Sequence, residues 1–341
     1  MNNSTKLSKQ IVLSGINPSS SKGLHLGNYL GAVKQHVEMQ YESFRAYYFI
    51  ADYHALNTIF DPEQLRSNVF NTYLDYLAFG LEPTRDNVLF YIQSSIPEIC
   101  ELNIILNNLV SMSELNKMHA FKDKLEKGRK VESINHGLFN YPVLMAADIL
   151  IFNAEIIPVG EDQVQHVEIT RNIAKKFNNR YGTILTVPEV FVKKETGRIL
   201  GTDGERKMSK SLGNYISVFS DESIIKEQIF SITTDQKRIH LSDPGDPKRN
   251  VIFSYMRFMN FDREKLAKFE EGYKNGTVGD VEIKKDFYSF YLDFFSQMRK
   301  RRKEYETRKD EINEMIQKNN QEARQIAKET IAKVRKAVGL D

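Results

Sequence analysis

Two lysines stand three residues apart in Lys207-Met208-Ser209-Lys210-Ser211, with Gly204 before them and Gly213 after. Ammonium groups on a glycine-flanked loop can follow negative charge as it builds on a leaving pyrophosphate. About 180 residues upstream, His25-Leu26-Gly27-Asn28 follows a turn of small residues that begins at Pro18. If a helix starts there, its free N–H groups and positive dipole end stabilise phosphate oxygens. His25 can add a hydrogen bond, and a charge when protonated. Taken singly, HLGN is a loop whose histidine caps or packs, and the lysine run is a solvated loop. Together and in this order they describe two walls of a triphosphate site.

Such walls need a frame. Gln10 to Gly15, Arg45 to Ala51, Asn87 to Ile92 and Ile156 to Val159 read as short apolar strands, with Gly197 to Leu200 as the last before the lysine loop. Helical patterns run from Leu26 to Val37, from Pro62 to about Phe79 behind an Asp61 N-cap, and from Glu161 to Phe177. Strands apolar on both faces and alternating with helices predict an α/β fold, a Rossmann-like parallel sheet covered on both sides. Ligands of such sheets lie beyond the carboxyl ends of the strands. The polar residues placed there are Asn17, Asp52 with His54, Gln93, and Gly160-Glu161-Asp162-Gln163. Tyr141 to Phe152 is apolar around one carboxylate, Asp148. Buried without a partner it would cost several kcal/mol; a substrate N–H, a neighbouring arginine or a helix cap would each serve.

The spacing predicts a catalytic domain over 1–216 with a helical insertion at about 97–140, and a helical domain over 217–310. Over 311–341, Ala327, Ile331, Val334 and Val338 form one apolar stripe, so a C-terminal helix should pack back. The net charge of +3 says little about partners. Lys117 to Lys130 is locally basic and Arg299 to Lys303 is five cations in a row; both are phosphate contacts or solvated helix faces. A single cysteine, Cys100, excludes an internal disulfide and points to a reducing cytoplasm without a metal cluster. No stretch approaches the ~20 apolar residues of a membrane span, and the polar first ten residues lack a secretory signal.

Five ordered blocks carry a family resemblance: GINPSSSKGLHLGNYLGA, IADYHALNT, YPVLMAADILIF, IIPVGEDQVQHVEITRNIAKKFN and KMSKSLGN. HLGN resembles the "HIGH" signature of class I aminoacyl-tRNA synthetases and KMSKS their second signature. The set as a whole resembles the bacterial-type tryptophanyl-tRNA synthetases, strongly over residues 11 to about 216 and more weakly beyond. The resemblance implies a homodimer that makes tryptophanyl-AMP from L-tryptophan and ATP, with Mg2+ arriving on the nucleotide. Transfer to tRNA(Trp) follows, with the 217–310 helices as the anticodon-binding domain.

The resemblance also assigns residues. Lys207, Lys210 and His25 match catalytic positions. Asn17, Pro18, Ser19, Gly27, Asn28, Gly160, Glu161, Asp162, Ile199, Lys207, Met208, Ser209, Lys210 and Ser211 match the ATP site. Asp148 matches the acceptor of the indole N–H, Met145 a residue packed on the indole, and Tyr141, His54 and Gln163 the surroundings of the amino and carboxylate groups. Asn17 stands where the family commonly has glutamine, and Pro18 to Gly27 is two residues longer than the usual pattern. Three other readings share parts of these motifs: a tyrosyl-tRNA synthetase, a small-metabolite nucleotidyltransferase and an inactive tRNA-binding paralogue.

Overall fold

The computed structural model describes residues 9–18, 23–118, 135–192, 199–238, 240 and 242–341. Five parallel strands form one sheet in the order β3-β2-β1-β4-β5, with β1 at Ile11–Ile16, β2 at Arg45–Ile50, β3 at Val88–Ile92, β4 at Ile156–Pro158 and β5 at Glu189–Phe191. Successive side chains of a strand face opposite ways. Ala46, Tyr48 and Ile50 therefore enter one apolar core, and Tyr47 and Phe49 the other. This double burial is why β2 reads as an unbroken apolar run. The chain leaves β1 towards β2 on one side and later returns to place β4 on the other. The order thus reverses between β1 and β4, where sheets of this kind open a crevice for ligand.

The predicted last strand at Gly197 to Leu200 is corrected. The fifth strand is Glu189–Phe191, paired with β4 through Ile156 and Glu189. Residues 197 and 198 lie outside the described residues, and Leu200 only bridges Lys207. A three-residue strand after Pro188 carries too few positions for an alternation to register.

On one face, α1 (Leu26–Asn28) continues through a π-helical turn (Tyr29–Val33) into α2 (Lys34–Met39). Then follow α3 (Asp52–Ala55) and α4 (Pro62–Phe79), whose start is as read: Asp61 Oδ1 accepts the Glu63 and Gln64 amides at 2.8 and 3.3 Å. The other face carries α5 (Glu98–Asn107), α6 (Met112–Asn116), α7 (His136–Ile151) and α8 (Val164–Tyr181). The helices α9 (Glu222–Phe230), α10 (Val251–Phe258), α11 (Arg263–Lys274) and α12 (Asp280–Glu306) share a core with α1 and α4, through Val218, Phe253, Tyr255, Tyr291 and Phe295. Of the Arg299 to Lys303 run, two cations are structural. Arg299 Nη1 donates to the Val218 and Ser220 carbonyls at 2.6 and 2.8 Å, and Arg302 is buried against Asp75. The basic stretch beyond Met118 lies outside the described residues. No described helix is long and apolar enough to cross a membrane.

The last helix, α13 (Lys309–Val338), docks as its stripe predicts: Ala327, Ile331 and Val334 are buried. It also closes an open sheet edge. The outward amides of β3, Phe90 and Ile92, donate to the side-chain carbonyls of Asn319 and Asn320 at 3.0 and 2.9 Å. An uncovered edge is a template for unwanted strand pairing.

His36 on α2 is buried, stacked on Tyr48 at 4.5 Å, with Nδ1 3.0 Å from the Tyr76 hydroxyl. Burial pushes its imidazole down to about 3. An unfolded chain protonates this histidine near 6.5, so the unfolded state binds the extra proton and acidification destabilises the fold. His36 should account for about 2 kcal/mol of stability lost between about pH 7 and about pH 5. Urea unfolding of wild type and His36→Phe at the two pH values measures it; an unaltered pH dependence in the variant contradicts it.

Candidate active site

The two signatures meet. His25 caps α1, its Nδ1 accepting the Asn28 amide at 3.3 Å while Asn28 Oδ1 accepts the His25 amide at 3.1 Å. The Gly27 amide points at Met208 Sδ, 3.1 Å away, and the Leu26 amide donates to the Ile216 carbonyl at 2.9 Å. His25 also bridges Ser217. Each contact joins the first signature to the segment carrying the second, and buried Met208 is the wedge between them. Of the two contributions open to His25, the structure shows the hydrogen bond. The ring is buried and faces Lys210 and Lys207, and burial first, then those cations, press its imidazole down to about 3. At neutral pH it is an uncharged cap, and the cations of the site are the lysines.

The lysine loop is held at its base. Asn214 Oδ1 accepts the Ser209 amide at 2.8 Å, and its Nδ2 donates to Asp203 Oδ2 at 2.8 Å and the Lys207 carbonyl at 3.3 Å. A Cβ on Gly201 would fall 2.2 Å from that amide nitrogen, so only glycine lets Asn214 close the loop. The Met208 amide donates to the Ile199 carbonyl at 2.9 Å. Lys210 Nζ lies 5.9 Å from the Tyr215 ring centre, and that ring is 6.0 Å from His25. Lys207 is exposed, and Ser209 and Ser211 share a hydrogen bond of 2.9 Å. Asn17 and Pro18 directly follow β1; Ser19 is outside the described residues. Gly160 and Glu161 are exposed just after β4, where Gly160 accepts the Gln163 amide at 2.9 Å. The Asp162 side chain is not among those described.

A second cluster of predicted site residues is built on α7. Tyr141, Met145 and Asp148 are spaced four and three residues apart, so they share one helix face. Asp148 is fully buried. Its partners are neither an arginine nor a cap: Gln93 Nε2 reaches both oxygens at 2.8 and 2.9 Å, and His54 Nε2 lies 3.0 Å from Oδ2. Burial pushes its carboxyl up, against the pull of His54 and Gln93. The Tyr53 amide donates to Gln93 Oε1 at 3.0 Å, which leaves the Gln93 NH2 no orientation but towards Asp148. Asp52 in turn anchors the turn after β3 by accepting the Ser94 amide at 2.9 Å. Tyr141 bonds His166 through its hydroxyl, and Met145 is half-buried. Gln163, at the end of the turn after β4, is half-buried too.

Sequence reasoning placed Gln93 at a strand end without giving it a role, and passed over Tyr215 and Asn214. An amide side chain directly after a fully apolar strand was the available signal for Gln93.

The family described as tRNA synthetases class I (W and Y) matches residues 5–296. The tryptophan–tRNA ligase of Fusobacterium nucleatum is 41% identical over 329 residues, covering 96% of this chain and 97% of the relative. The chain belongs to the tryptophan–tRNA ligases of class I. These synthetases are ATP-dependent aminoacyl-tRNA ligases, and the Campylobacter jejuni member is 40% identical over 96% of this chain. A crystal structure of the Campylobacter jejuni tryptophanyl-tRNA synthetase complexed with ADP and tryptophan superposes with a TM-score of 0.85 at 39% identity, over 97% of this chain and 100% of that one. The tyrosyl-tRNA synthetase of Archaeoglobus fulgidus, at 19% identity and a TM-score of 0.65, shares the fold alone. The tryptophan reading of this synthetase is therefore favoured over the tyrosine one.

Proposed function

We propose that this synthetase activates L-tryptophan with ATP to tryptophanyl-AMP and passes the acyl group to tRNA(Trp). One observation carries the reading: the helix start at His25–Asn28, which follows β1, packs on the lysine loop through Gly27 and Met208, while His54 after β2 and Gln93 after β3 hold the buried Asp148. The tryptophan carboxylate attacks the α-phosphate in line and pyrophosphate leaves. The amides at the start of α1 receive phosphate oxygens, and Lys207 and Lys210 stabilise charge on the leaving group. Asp148 accepts the indole N–H, Met145 packs on the ring, and Tyr141, His54 and Gln163 surround the polar end. Gly160, Glu161 and Asp162 hold the ribose, and Ile199 meets the adenine. A site that hydrogen-bonds one substrate N–H rejects analogues lacking it strongly. In the second step the 2′-hydroxyl of the terminal adenosine attacks the acyl carbonyl and AMP leaves.

Mg2+ is read as part of the nucleotide substrate. Among the described residues no three carboxylates, histidines or cysteines converge to hold a metal of their own. The domain division at about residue 217, the anticodon contact of the 217–310 helices, a cytoplasmic location and a homodimer belong to the same proposal. Exposed apolar side chains on α3 to α6 and their loops, Leu56, Phe60, Ile104 and Met112, suit a subunit contact. Pyrophosphate exchange measured with each of the twenty amino acids tests the reading. Exchange with tryptophan alone is expected; exchange with tyrosine and not tryptophan refutes it.

A further inference from the structure

Neither signature contains Asp75, yet its carboxylate joins the first signature to the C-terminal helices. Asp75 sits on α4 and is fully buried. Its Oδ2 accepts the Leu24 amide at 2.6 Å, and its Oδ1 accepts Arg302 Nε of α12 at 2.7 Å. Leu24 is the residue before His25, the cap of α1. Gly23, at φ 71°, packs on the same oxygen: a Cβ there would come within 2.9 Å of Asp75 Oδ2. Two helical turns earlier on α4, Asn68 Nδ2 donates to the Pro18 carbonyl at 2.9 Å. The α4 helix therefore grips the first signature turn at both of its described ends.

Arg302 is itself fixed. Its guanidinium donates to Glu306 Oε1 at 2.6 Å and Asn71 Oδ1 at 2.7 Å, and lies 6.0 Å from the Phe219 ring centre. Burial lifts the Asp75 carboxyl to about 6, against Arg302 first, then the Leu24 amide and Lys210. Lys210 of the second signature thus acts on the same carboxylate. Desolvating an ion pair is costly, and apolar residues of similar volume would join α4 to α12 as firmly. What apolar residues cannot do is accept a backbone amide hydrogen in a set direction.

We propose that Asp75 is a positioning residue for adenylate formation: oriented by Arg302, its carboxylate fixes the Leu24 amide and so the helix start at His25–Asn28 that meets the ATP phosphates. Through it, α12 sets the geometry of the nucleotide site. The proposal rests on the adenylation reading above.

Asp75→Asn tests it in the full-length enzyme. The chain contains no tryptophan, so indole emission comes from the ligand alone, and its change on binding gives the tryptophan Kd. Expected are a loss of roughly tenfold or more in kcat for tryptophan-dependent pyrophosphate exchange, a raised KM for ATP and a tryptophan Kd within about twofold of wild type. Amide hydrogen exchange over Gly23–Asn28 should quicken, a readout that needs no turnover. A merely structural pair would lower Tm but leave kcat and that exchange as in wild type, which overturns the proposal. Should Asp75→Asn not fold, Arg302→Lys carries the same test: it keeps a cation beside the carboxylate and removes the fork that orients it. Unchanged kcat and amide exchange in Arg302→Lys overturn the proposal equally. A wild-type enzyme inactive with every amino acid refutes the adenylation reading, whereas an active wild type with unaffected variants refutes the role of Asp75 alone.

Discussion

Replacing Lys210 by alanine is expected to lower kcat for tryptophan-dependent pyrophosphate exchange by roughly 10²- to 10³-fold, with tryptophan affinity within about twofold of wild type. The size follows from what preorganised charge contributes where charge develops, about 3–4 kcal/mol for a single group in a site shielded from water. Lys210 is half-buried beside Tyr215, on a turn whose base Asn214 holds by three hydrogen bonds. Its backbone is thus placed before substrate arrives, while the long side chain remains able to follow the leaving phosphates. The residues proposed to bind tryptophan, around Asp148 on α7, do not include Lys210, so ground-state tryptophan binding should not notice the change. Bound-tryptophan emission and exchange kinetics measure the two quantities on one sample. An equal loss in both would show that Lys210 holds the pocket together rather than the transition state.

Asp148→Asn should raise KM for tryptophan by roughly 10²-fold and KM for ATP by less than about threefold. The substitution keeps the shape and turns one acceptor into a donor. In the wild type both oxygens face donors, two contacts from Gln93 Nε2 and one from His54 Nε2. The Tyr53 amide holds the Gln93 Oε1, so Gln93 cannot flip to accommodate the new NH2. The variant therefore either buries an unpaired N–H or turns its one remaining oxygen away from the indole. The first lowers folding stability and so Tm; the second costs about 1–3 kcal/mol at tryptophan binding. Steady-state kinetics for each substrate, with Tm as a control on folding, decide it. Unaltered tryptophan affinity would make Asp148 a structural partner of His54 and Gln93.

Much of the frame was legible because it depends on near neighbours. The Asp61-Pro62 start of α4 and the Gly80 stop each involve residues within one helical turn, and both lie where the chain pattern places them. The strands Arg45–Ile50 and Val88–Ile92 are apolar on both faces, which already implies cover on both sides. The C-terminal stripe announced a docked helix. Opaque from the chain were contacts whose donors and acceptors have many equivalent partners in sequence. Nothing local says that Asn319 and Asn320 cap the amides of a strand more than two hundred residues away, or that two of five consecutive cations are internal braces. The charge state of His25 was hidden for the same reason: it follows from burial and from two lysines near the other end of the signature pair.

Motif chemistry, strand and helix periods, and family membership are therefore written in residue order, because each is a property of short windows or of their succession. The meeting of Gly27 with Met208, the Gln93–Asp148–His54 cluster and the Asp75–Arg302 brace are not. A buried polar group requires a partner but does not name it, and which one it finds depends on where folding brings distant segments within about 3 Å of each other.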